Sequence, residues 1–418
     1  MTTKITTVLF FLASIFSVQA QNTVIKAGHF FDARNGKMLD NQMILIQNGR
    51  IKEVGVNLKI DKSDSIIDLS SSWVLPGLMD CHVHITANFP YRNLGIEQVY
   101  ANESTSLRAI RGTVVAKQFL DNGFTTIKEI GNDANYATAD IIKAVKRGWI
   151  QGPTIIYAGK IIAPYGGQSY GINPEHEGIW KFEYIDADTP DEIIKAVRQN
   201  IYYGATVIKM ETGDNGIYNV EDIKAAVNEA KKYGLKVTVH VRNDAASATS
   251  VILGGAAGIE HGFELDNTQL QLMKDKGTFL VGTDFSFENW YAYGMDSVSA
   301  TAYANMVLDR LKRAYKVGTK MAFGTDIIVN LPGLSRVQSN LKVLKTWKAA
   351  SIPPSYILQT MTINAAELLG IEKDRGVLEP SYFADIIALK NNPLDDIEAI
   401  KTVHFVMKEG NVIRRDIK

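Results

Sequence analysis

The sequence has almost no cysteine. Its 418 residues contain only Cys81, so the chain forms no intramolecular disulfide, even in a compartment that would permit one. Cys81 lies between Asp80 and His82 in an apolar run, and we expect a small buried side chain there rather than a catalytic thiol. The fold must therefore depend on a hydrophobic core, for which an apolar content of 46% is ample at this length.

An excess of charge of either sign is also missing. Lysine plus arginine and aspartate plus glutamate number 45 each, which gives a formal net charge of +0. The sequence has no long basic run and no grouped aromatic residues that would stack on bases. No overall field is present to attract nucleic acid or an anionic membrane, so we expect neither among the partners.

Long hydrophobic runs are missing except at the N-terminus. There "MTTK" supplies a positive charge, "ITTVLFFLASIFSV" is too short to span a bilayer comfortably, and "VQA" places small residues before Gln21. This order predicts a secretory signal peptide at residues 1–20, cleaved after Ala20, with an uncleaved membrane anchor as the alternative. We therefore expect a secreted or periplasmic protein with no stable membrane anchor after signal cleavage.

Short alternating segments occupy the two ends of the chain. Residues 21–73 contain "TVIKAGHFFDA" and "MILIQNGRIKEVG", and residues 376–418 contain "ADIIALK" and "VHFVMKEGNVIRRD". Alternating apolar residues separated by Asn-Gly turns are typical of antiparallel strands. The sequence predicts one small β-sandwich domain that is formed from both chain ends.

Residues 74–375 change to short apolar strands that alternate with amphipathic helices. The candidate strands are "WVLPGLMDCHVHI", "GFTTIKEI", "GPTIIYAG", "GATVIKME", "LKVTVHV", "AGIEHG", "GTFLVGT" and "KMAFGTD". One helix between them starts at Thr189 as N-cap, with Pro190 in its first turn. Eight strand–helix repeats predict an α/β fold, a (β/α)8 TIM-like barrel; a doubly wound open sheet is the alternative, but a glycine-rich nucleotide loop is missing.

Polar side chains that can bind metals lie at the ends of these strands. Residues i and i+2 of a strand point to the same face, so His82 and His84 direct two imidazoles at one point. The other strand ends supply Lys209, His240, His261 and Asp326. In a barrel, functional groups collect at the C-terminal ends of the strands, and four of the seven histidines fall there. The pattern predicts a metal centre.

Lys209 favours a centre with two metal ions. Four imidazoles and one carboxylate exceed the needs of one tetrahedral zinc ion, whereas two divalent cations close together need an anionic bridge. A lysine carboxylated by CO2 supplies that bridge, and burial gives the depressed pKa that carboxylation requires. A salt bridge to Glu211, on the same face of the strand, is the alternative role for Lys209. We expect two divalent ions, zinc by ligand type, with manganese or cobalt as substitutes.

The ordered motifs resemble the metal-dependent amidohydrolase superfamily. The matching segments are "GLMDCHVH", "VIKM", "VTVH", "IEHG", "FGTD", "MTINAAELLG" and "ADIIALK", and the similarity runs from about residue 22 to the C-terminus. Within the superfamily, the chain resembles the imidazolonepropionase-related Xaa-Pro and Xaa-Arg/Lys dipeptidases and N-acyl amino acid hydrolases, which commonly form homo-oligomers.

This resemblance implies a ligand set for a binuclear zinc site. One metal would be held by His82, His84 and Asp326, and the other by His240 and His261. Carboxylated Lys209 would bridge the two ions.

Two positions depart from the pattern of these relatives. Relatives often carry a histidine in the glycine-rich loop after the third strand, where "APYGGQSYG" has Gln168. The helper to the substrate carbonyl would then be Gln168, Tyr165, Tyr170 or the nearby His176. Relatives also often read His-Ala-Tyr after the fifth strand, where "HVRN" places Arg242, which suits bidentate binding of a carboxylate; a surface loop arginine is the alternative.

The predicted reaction is hydrolysis of an amide or peptide bond in a dipeptide or N-acyl amino acid, which releases a C-terminal amino acid. A hydroxide bridging the metals attacks the carbonyl, and Asp326 moves the proton to the leaving amine. Arg242, Tyr165 and Gln168 are the candidate substrate contacts. The aromatic residues of the loop at 284–300 predict either an apolar wall for the substrate or a lid packed on itself.

Three other functions remain open as alternatives. The same site could act on a cyclic amide, a lactone or a phosphotriester, since the attacking hydroxide would serve all of them. Mononuclear deamination fits less well, because deaminases of this superfamily use a glutamate where this chain has Asn243. A non-catalytic exported binding protein would need a degraded ligand set, and all six candidate ligands are present.

Overall fold

The computed structural model describes residues 22–93, 96–131, 133–169, 172–241 and 245–416. The signal peptide predicted at residues 1–20 lies outside these ranges. Within the described ranges, no helix has the length and apolar character needed to cross a membrane.

The strands fall into three sheets. In chain order they are β1 (Thr23–Asp32), β2 (Lys37–Gln47), β3 (Arg50–Gly55), β4 (Ser65–Pro76), β5 (Leu78–Val83), β6 (Phe124–Glu129), β7 (Thr154–Tyr157), β8 (Ile161–Ala163), β9 (Tyr184–Asp186), β10 (Ile208–Thr212), β11 (Val237–Val241), β12 (Gly258–His261), β13 (Phe279–Val281), β14 (Ile386–Leu389), β15 (Val403–Lys408) and β16 (Asn411–Arg415). One sheet is mixed and contains strands from both chain ends, and the other two are parallel.

Most helices follow the parallel strands. In chain order they are α1 (Ile96–Asn102), α2 (Thr105–Asp121), α3 (Ala137–Lys146), α4 (Pro190–Tyr202), α5 (Val220–Lys231), α6 (Ala245–Leu253), α7 (Asn267–Lys276), α8 (Phe287–Ala292), α9 (Ser297–Val317), α10 (Arg336–Asn340), α11 (Leu344–Ala349), α12 (Pro354–Thr360) and α13 (Ile363–Leu369). Three 3-10 helices span Pro174–Phe182, Leu341–Val343 and Ile397–Thr402.

Helix α4 begins where the sequence predicts it. The hydroxyl of Thr189 accepts from the backbone N–H of Glu192, and the Glu192 carboxylate accepts from the backbone N–H of Thr189 at 3.0 Å. This reciprocal capping satisfies two amide groups that the first turn leaves without a helical partner. Pro190 follows in the first turn, where its missing N–H costs nothing.

The mixed sheet joins the two ends of the chain. Its strand order is β16-β15-β14-β4-β1-β2-β3, and β4 pairs parallel with β1 and antiparallel with β14. The sheet has its own apolar cluster, which includes Ile25, Ile44 and Phe405. This arrangement fits the small β-sandwich that the sequence predicts.

The parallel sheets close into a barrel. Their orders are β5-β6-β7 and β13-β12-β11-β10-β8-β9. At one seam, the carbonyl of Tyr157 accepts from the N–H of Thr206, at 2.7 Å, just before β10. At the other, Leu280 donates to Lys320 at 2.9 Å and Cys81 donates to Phe323 at 2.8 Å. The predicted TIM-like barrel is confirmed, and the open-sheet alternative is wrong because both seams are hydrogen-bonded.

The third and eighth predicted strands differ from the structure in detail. The segment "KMAFGTD" contributes only an isolated bridge between Met321 and Leu280, because its remaining hydrogen bonds alternate between two neighbouring strands. The third barrel position is broken at Gly159, whose φ of 73° turns the chain, and β8 and β9 continue beyond it. These short strands after a positive-φ glycine carry no alternating pattern long enough to predict.

The first predicted strand is divided at Gly77. β4 ends at Pro76 in the mixed sheet, and β5 begins in the barrel at Leu78. A Cβ at position 77 would lie 2.1 Å from the Oγ1 of Thr125, so only glycine allows the two sheets to meet there. Cys81 on β5 is fully buried, as predicted, and burial raises the pKa of its thiol.

Candidate metal centre

The barrel brings the candidate ligands to one end. They are His82 on β5 and His84 just after it, Lys209 on β10, His240 on β11, His261 at the end of β12, and Asp326 after the eighth barrel position. All but Asp326 are buried, and its side chain is 17% exposed. Buried histidines and a buried lysine gathered at the C-terminal ends of barrel strands are typical of an active site.

Three of these side chains already converge on one point. The Nε2 atoms of His82 and His84 lie 3.2 Å apart. The Oδ1 of Asp326 lies 3.4 Å from the first and 3.2 Å from the second. Ligands at 2.0–2.1 Å from a tetrahedral zinc ion are separated by about 3.3 Å, so the three atoms are spaced as one ion requires. Among the described residues they form the group whose donor atoms all lie within 4.8 Å of one another.

Hydrogen bonds orient both imidazoles of this group. The Nδ1 of His82 lies 2.7 Å from a Glu260 oxygen, and the Nδ1 of His84 lies 2.7 Å from the Gly131 carbonyl. Since these oxygens accept, each Nδ1 carries the proton and each Nε2 turns its lone pair toward Asp326. Two lone pairs and a carboxylate at such distances repel one another, which a shared cation would relieve.

A buried charged network supports His82 from below. Glu260 accepts from the Nζ of Lys128 at 2.5 Å and from the hydroxyl of Thr238. Burial disfavours its charged form, but the charge of Lys128 and the hydrogen bond from His82 outweigh this effect and hold the pKa of Glu260 well below its usual range. The carboxylate is therefore ionised and fixed as the acceptor for His82.

The other two histidines form a second group beside the first. Their ring centroids lie 4.2 Å apart. The Nδ1 of His261 lies 2.8 Å from the hydroxyl of Thr283 and 3.7 Å from the second oxygen of Asp326. The Nε2 of His240 lies 3.2 Å from the Gln168 amide nitrogen. Asp326 thus lies between the two groups, with one oxygen toward each.

Lys209 is buried on β10, where the charges of Glu260 and Asp326 act on its ammonium. Burial is the main cause that lowers the pKa of its ammonium to about 8, which leaves about a tenth of the amine neutral at pH 7. In the part of the chain that the structure describes, no ion pair joins Lys209 to Glu211, so the salt-bridge alternative is not formed. A buried, partly neutral amine suits carboxylation by CO2.

The backbone is strained at three positions of the site. His261, Thr283 and Asp326 have φ values of 68°, 43° and 51°, in the left-handed region that non-glycine residues rarely adopt. Each such residue costs about 1–3 kcal/mol and persists only where the surroundings impose it. Strain collected at consecutive strand ends is typical of functional sites.

The candidate substrate contacts occupy different environments. Gln168 lies beside His240 and donates to Asp214 at 2.8 Å. The exposed Tyr165 donates its hydroxyl to Glu177 at 2.9 Å. His176, the other candidate described, is exposed on a 3-10 helix. Arg242 and Tyr170 lie outside the described residues, so their roles stay predictions.

The aromatic loop at 284–300 packs largely on itself. Phe285, Trp290 and Tyr293 are at most 9% exposed and contact one another. The hydroxyl of Tyr293 donates to the carbonyl of Asp326 at 2.8 Å and accepts from the N–H of Ile328. Tyr293, on which Phe285 stacks, therefore holds the Asp326 loop in place.

Sequence reasoning missed the residues that support the ligands. Asp80 accepts from the backbone N–H groups of His82 and Thr325, which ties the first barrel strand to the segment of Asp326. Lys128 and Glu260 form the buried pair below His82. Asp80 and Glu260 stand as single charges within apolar strand segments, and Lys128 follows Ile127 in β6 beside Glu129; a buried charge needs a partner. That signal is present in the sequence, but the partners are far apart in the chain.

Comparisons with known proteins agree with this geometry. Residues 73–413 match the amidohydrolase family, and the chain belongs to it. Ochratoxinase from Aspergillus niger is 28% identical over 434 aligned positions, covering 95% of this chain and 87% of that protein. Imidazolonepropionase from Deinococcus deserti is 24% identical, covering 86% and 88%.

A solved structure extends the likeness to the whole fold. The crystal structure of an Xaa-Pro dipeptidase with bound methionine in its active site has a TM-score of 0.81 and 28% identity, covering 94% of this chain and all of that one. The resemblance predicted from the motifs is confirmed, and so is the enzyme class, a hydrolase of C–N bonds.

Proposed function

We propose that this amidohydrolase is an exported binuclear enzyme that releases a C-terminal amino acid from dipeptides or N-acyl amino acids. The observation that carries the proposal is the position of Asp326 between two histidine pairs, with Oδ1 within 3.4 Å of His82 and His84 and Oδ2 3.7 Å from His261. A carboxylate in this place can serve both metal sites and the reacting water. The likeness to an Xaa-Pro dipeptidase supports the substrate class.

The chain's own residues divide the work at the centre. One cation would be held by His82, His84 and Asp326, and the other by His240 and His261, with carboxylated Lys209 between them. When bound, the two cations would polarise the scissile carbonyl and lower the pKa of a water molecule.

Proton transfer and substrate binding then fall to polar side chains around the centre. Asp326 accepts the proton of the attacking water and passes it to the leaving amine. Gln168, beside His240, would donate to the carbonyl oxygen. Arg242 would bind the free carboxylate of the released residue in a bidentate manner, because its planar guanidinium matches two oxygens. Tyr165 could reach a substrate only from the outer edge, where its hydroxyl contacts Glu177.

Amino-acid release tests the proposal directly. Zinc-loaded protein is incubated with a pooled library of dipeptides and N-acyl amino acids, beside a sample treated with a chelator. We expect chelator-sensitive release of a few amino acids, whose identities define the pocket. No release from protein that still holds two metal ions per chain would contradict the proposal, and cyclic amides, lactones and phosphotriesters would be tested next.

Two further parts of the proposal have simple measurements. If residues 1–20 direct export, the mature protein found outside the cytoplasm begins at Gln21 by mass spectrometry of its N-terminal peptide. Sedimentation measures whether the protein forms a homo-oligomer, as relatives commonly do. An N-terminus that retains Met1 would contradict cleavage.

A further inference from the structure

Two carboxylates lie at the mouth of the barrel on the His240 side of the centre. Glu211 is paired in register with His240 on the neighbouring strand and is fully buried. Its Oε1 accepts from the backbone N–H of Asp214 at 3.1 Å, and its Oε2 has no hydrogen-bond partner among the described residues. A buried carboxylate oxygen without a partner is costly, so something outside the chain is expected to satisfy this cluster.

Asp214 lies at the same place, closer to the open side. One of its oxygens accepts from the Gln168 amide at 2.8 Å and lies 3.5 Å from the Nε2 of His240. Its side chain is 9% exposed, so it lines a cleft rather than the outer surface. Within the described ranges, no lysine or arginine forms an ion pair with Asp214 or Glu211. Burial and the charge of Asp214 raise the pKa of Glu211 to about 8 despite the opposing charge of Lys209, so the negative charge of this cleft lies mainly on Asp214. A carboxylate in such a poorly solvated place, without an ion pair to a described lysine or arginine, suits a positively charged ligand group.

The donor set favours an ammonium group over another metal ion. Among the described residues, the donor atoms of Asp214, Glu211 and His240 do not form a group as compact as that around His82. The proposed second metal site would be completed by the carbamate of Lys209, but none of the described residues would complete a metal site around Asp214 and Glu211 in that way. An ammonium group carries three rotatable donors, which can reach acceptors spread over a wider angle. Gln168 links this cleft to the carbonyl-binding side of the centre.

We propose that Asp214, supported by Glu211, binds the free α-ammonium group of the substrate, so that the enzyme prefers dipeptides to N-acyl amino acids. This inference rests on the proposed function and narrows its substrate class. Two bonds separate the α-ammonium nitrogen of a dipeptide from the scissile carbonyl carbon. An oxygen of Asp214 lies 3.5 Å from the Nε2 of His240, which we propose as a metal ligand. Asp214 is therefore close enough to bind the ammonium group of a substrate whose carbonyl lies at the metal centre.

The test compares two libraries that differ only in the ammonium group. Alanyl-X peptides and propionyl-X compounds, with X varied over the common amino acids, are supplied to the wild-type enzyme. We expect kcat/KM to be about 10- to 100-fold higher for the alanyl member of each cleaved pair, as for a hydrogen bond to a charged group. Asp214→Asn should reduce this ratio to about one mainly by slowing the alanyl substrates, while Asp275→Asn on the exposed face of α7 serves as the control.

Binding gives a second readout that does not depend on turnover. Calorimetry of the same two libraries with the Asp326→Asn variant should show tighter binding of the alanyl members, lost when Asp214→Asn is added. If the alanyl members bind more tightly but the wild type hydrolyses none of them, the proposed reaction is wrong and the proposed ammonium site still stands. Equal binding or equal rates would overturn the site, and so would loss of a metal ion from Asp214→Asn, which would make Asp214 a ligand instead.

Discussion

The two halves of the candidate centre differ in how completely the chain builds them. Around His82, three donor atoms are already spaced for one ion, and each imidazole is held by a buried acceptor. Around His240 and His261 the rings are adjacent, but no third donor among the described residues converges with them. The first half is ready for a cation, and the second requires a further anionic group.

The origin of the supporting residues explains this difference. The first half is oriented by Glu260 on β12, which Lys128 on β6 holds from below. The second half depends on Gln168 and Thr283, which lie outside the strands, and in our proposal on a carbamate that Lys209 would acquire by reacting with CO2. Rigid strands fix their side chains more exactly than loops do. We therefore expect the first metal ion to bind independently of CO2, and the second to require it.

The largest expected effect comes from Asp326, which joins the two halves. Asp326→Asn keeps the shape but cannot accept a proton, so we expect kcat/KM to fall by about 10²–10⁴-fold. Metal content, measured by plasma mass spectrometry, should stay largely unchanged. Full loss of metal would leave the proton-transfer role unsupported and show that Asp326 acts mainly as a ligand.

The next effect should separate the two halves. Lys209→Met removes the amine that we propose to be carboxylated, so metal content should fall from two ions to one and kcat by at least about 100-fold. Bicarbonate should speed the recovery of metal-depleted wild type but not of this variant. Lys231→Met, on the last turn of α5, is the matched control. If Lys209→Met still binds two metal ions per chain, Lys209 does not bridge them and that part of the proposal is wrong.

The sequence predicts most of the first half of the centre because strand geometry alone determines it. The i and i+2 spacing of His82 and His84 gives their common direction, and the barrel repeat brings Asp326 beside them. The same reasoning predicts the barrel and the two-ended β domain. Local spacing was sufficient for these features, since each depends on regular secondary structure.

The missing parts depend on contacts between distant positions. Lys128 and Glu260 are 132 residues apart, and no local sequence pattern predicts that they form an ion pair. The prediction of a regular eighth strand at "KMAFGTD" was wrong, because the hydrogen bonds of this segment are divided between two neighbouring strands. The spacing of apolar residues does not reveal this division. Loop side chains such as Tyr165 cannot be placed from strand alternation at all.

Glu260 offers a smaller effect that is confined to the first half. Glu260→Gln removes the ionised acceptor of His82, and we expect metal affinity at that site to fall about 10- to 100-fold, measured by competition with a chelator. The second ion should be lost no faster than in wild type. Glu221→Gln, exposed on α5, is the control.

A double variant distinguishes positioning from stability at this position. Glu260→Gln alone leaves the buried Lys128 without its partner, which costs about 3–5 kcal/mol of unfolding free energy. Adding Lys128→Met should recover stability in urea unfolding while metal affinity stays low. If affinity recovers together with stability, Glu260 contributes to the fold rather than to the orientation of His82.

Thr283 should have the smallest effect, on the second half alone. Thr283→Val keeps the side-chain shape and the β-branched backbone strain but removes the hydroxyl that lies 2.8 Å from the Nδ1 of His261. Loss of one hydrogen bond of about 1 kcal/mol corresponds to an affinity about five-fold lower for the second metal ion. The first ion should be unaffected, and Thr283→Ser should restore the second. Equal weakening of both ions would mean that His261 orients the whole centre, and the two halves would then be one cooperative site.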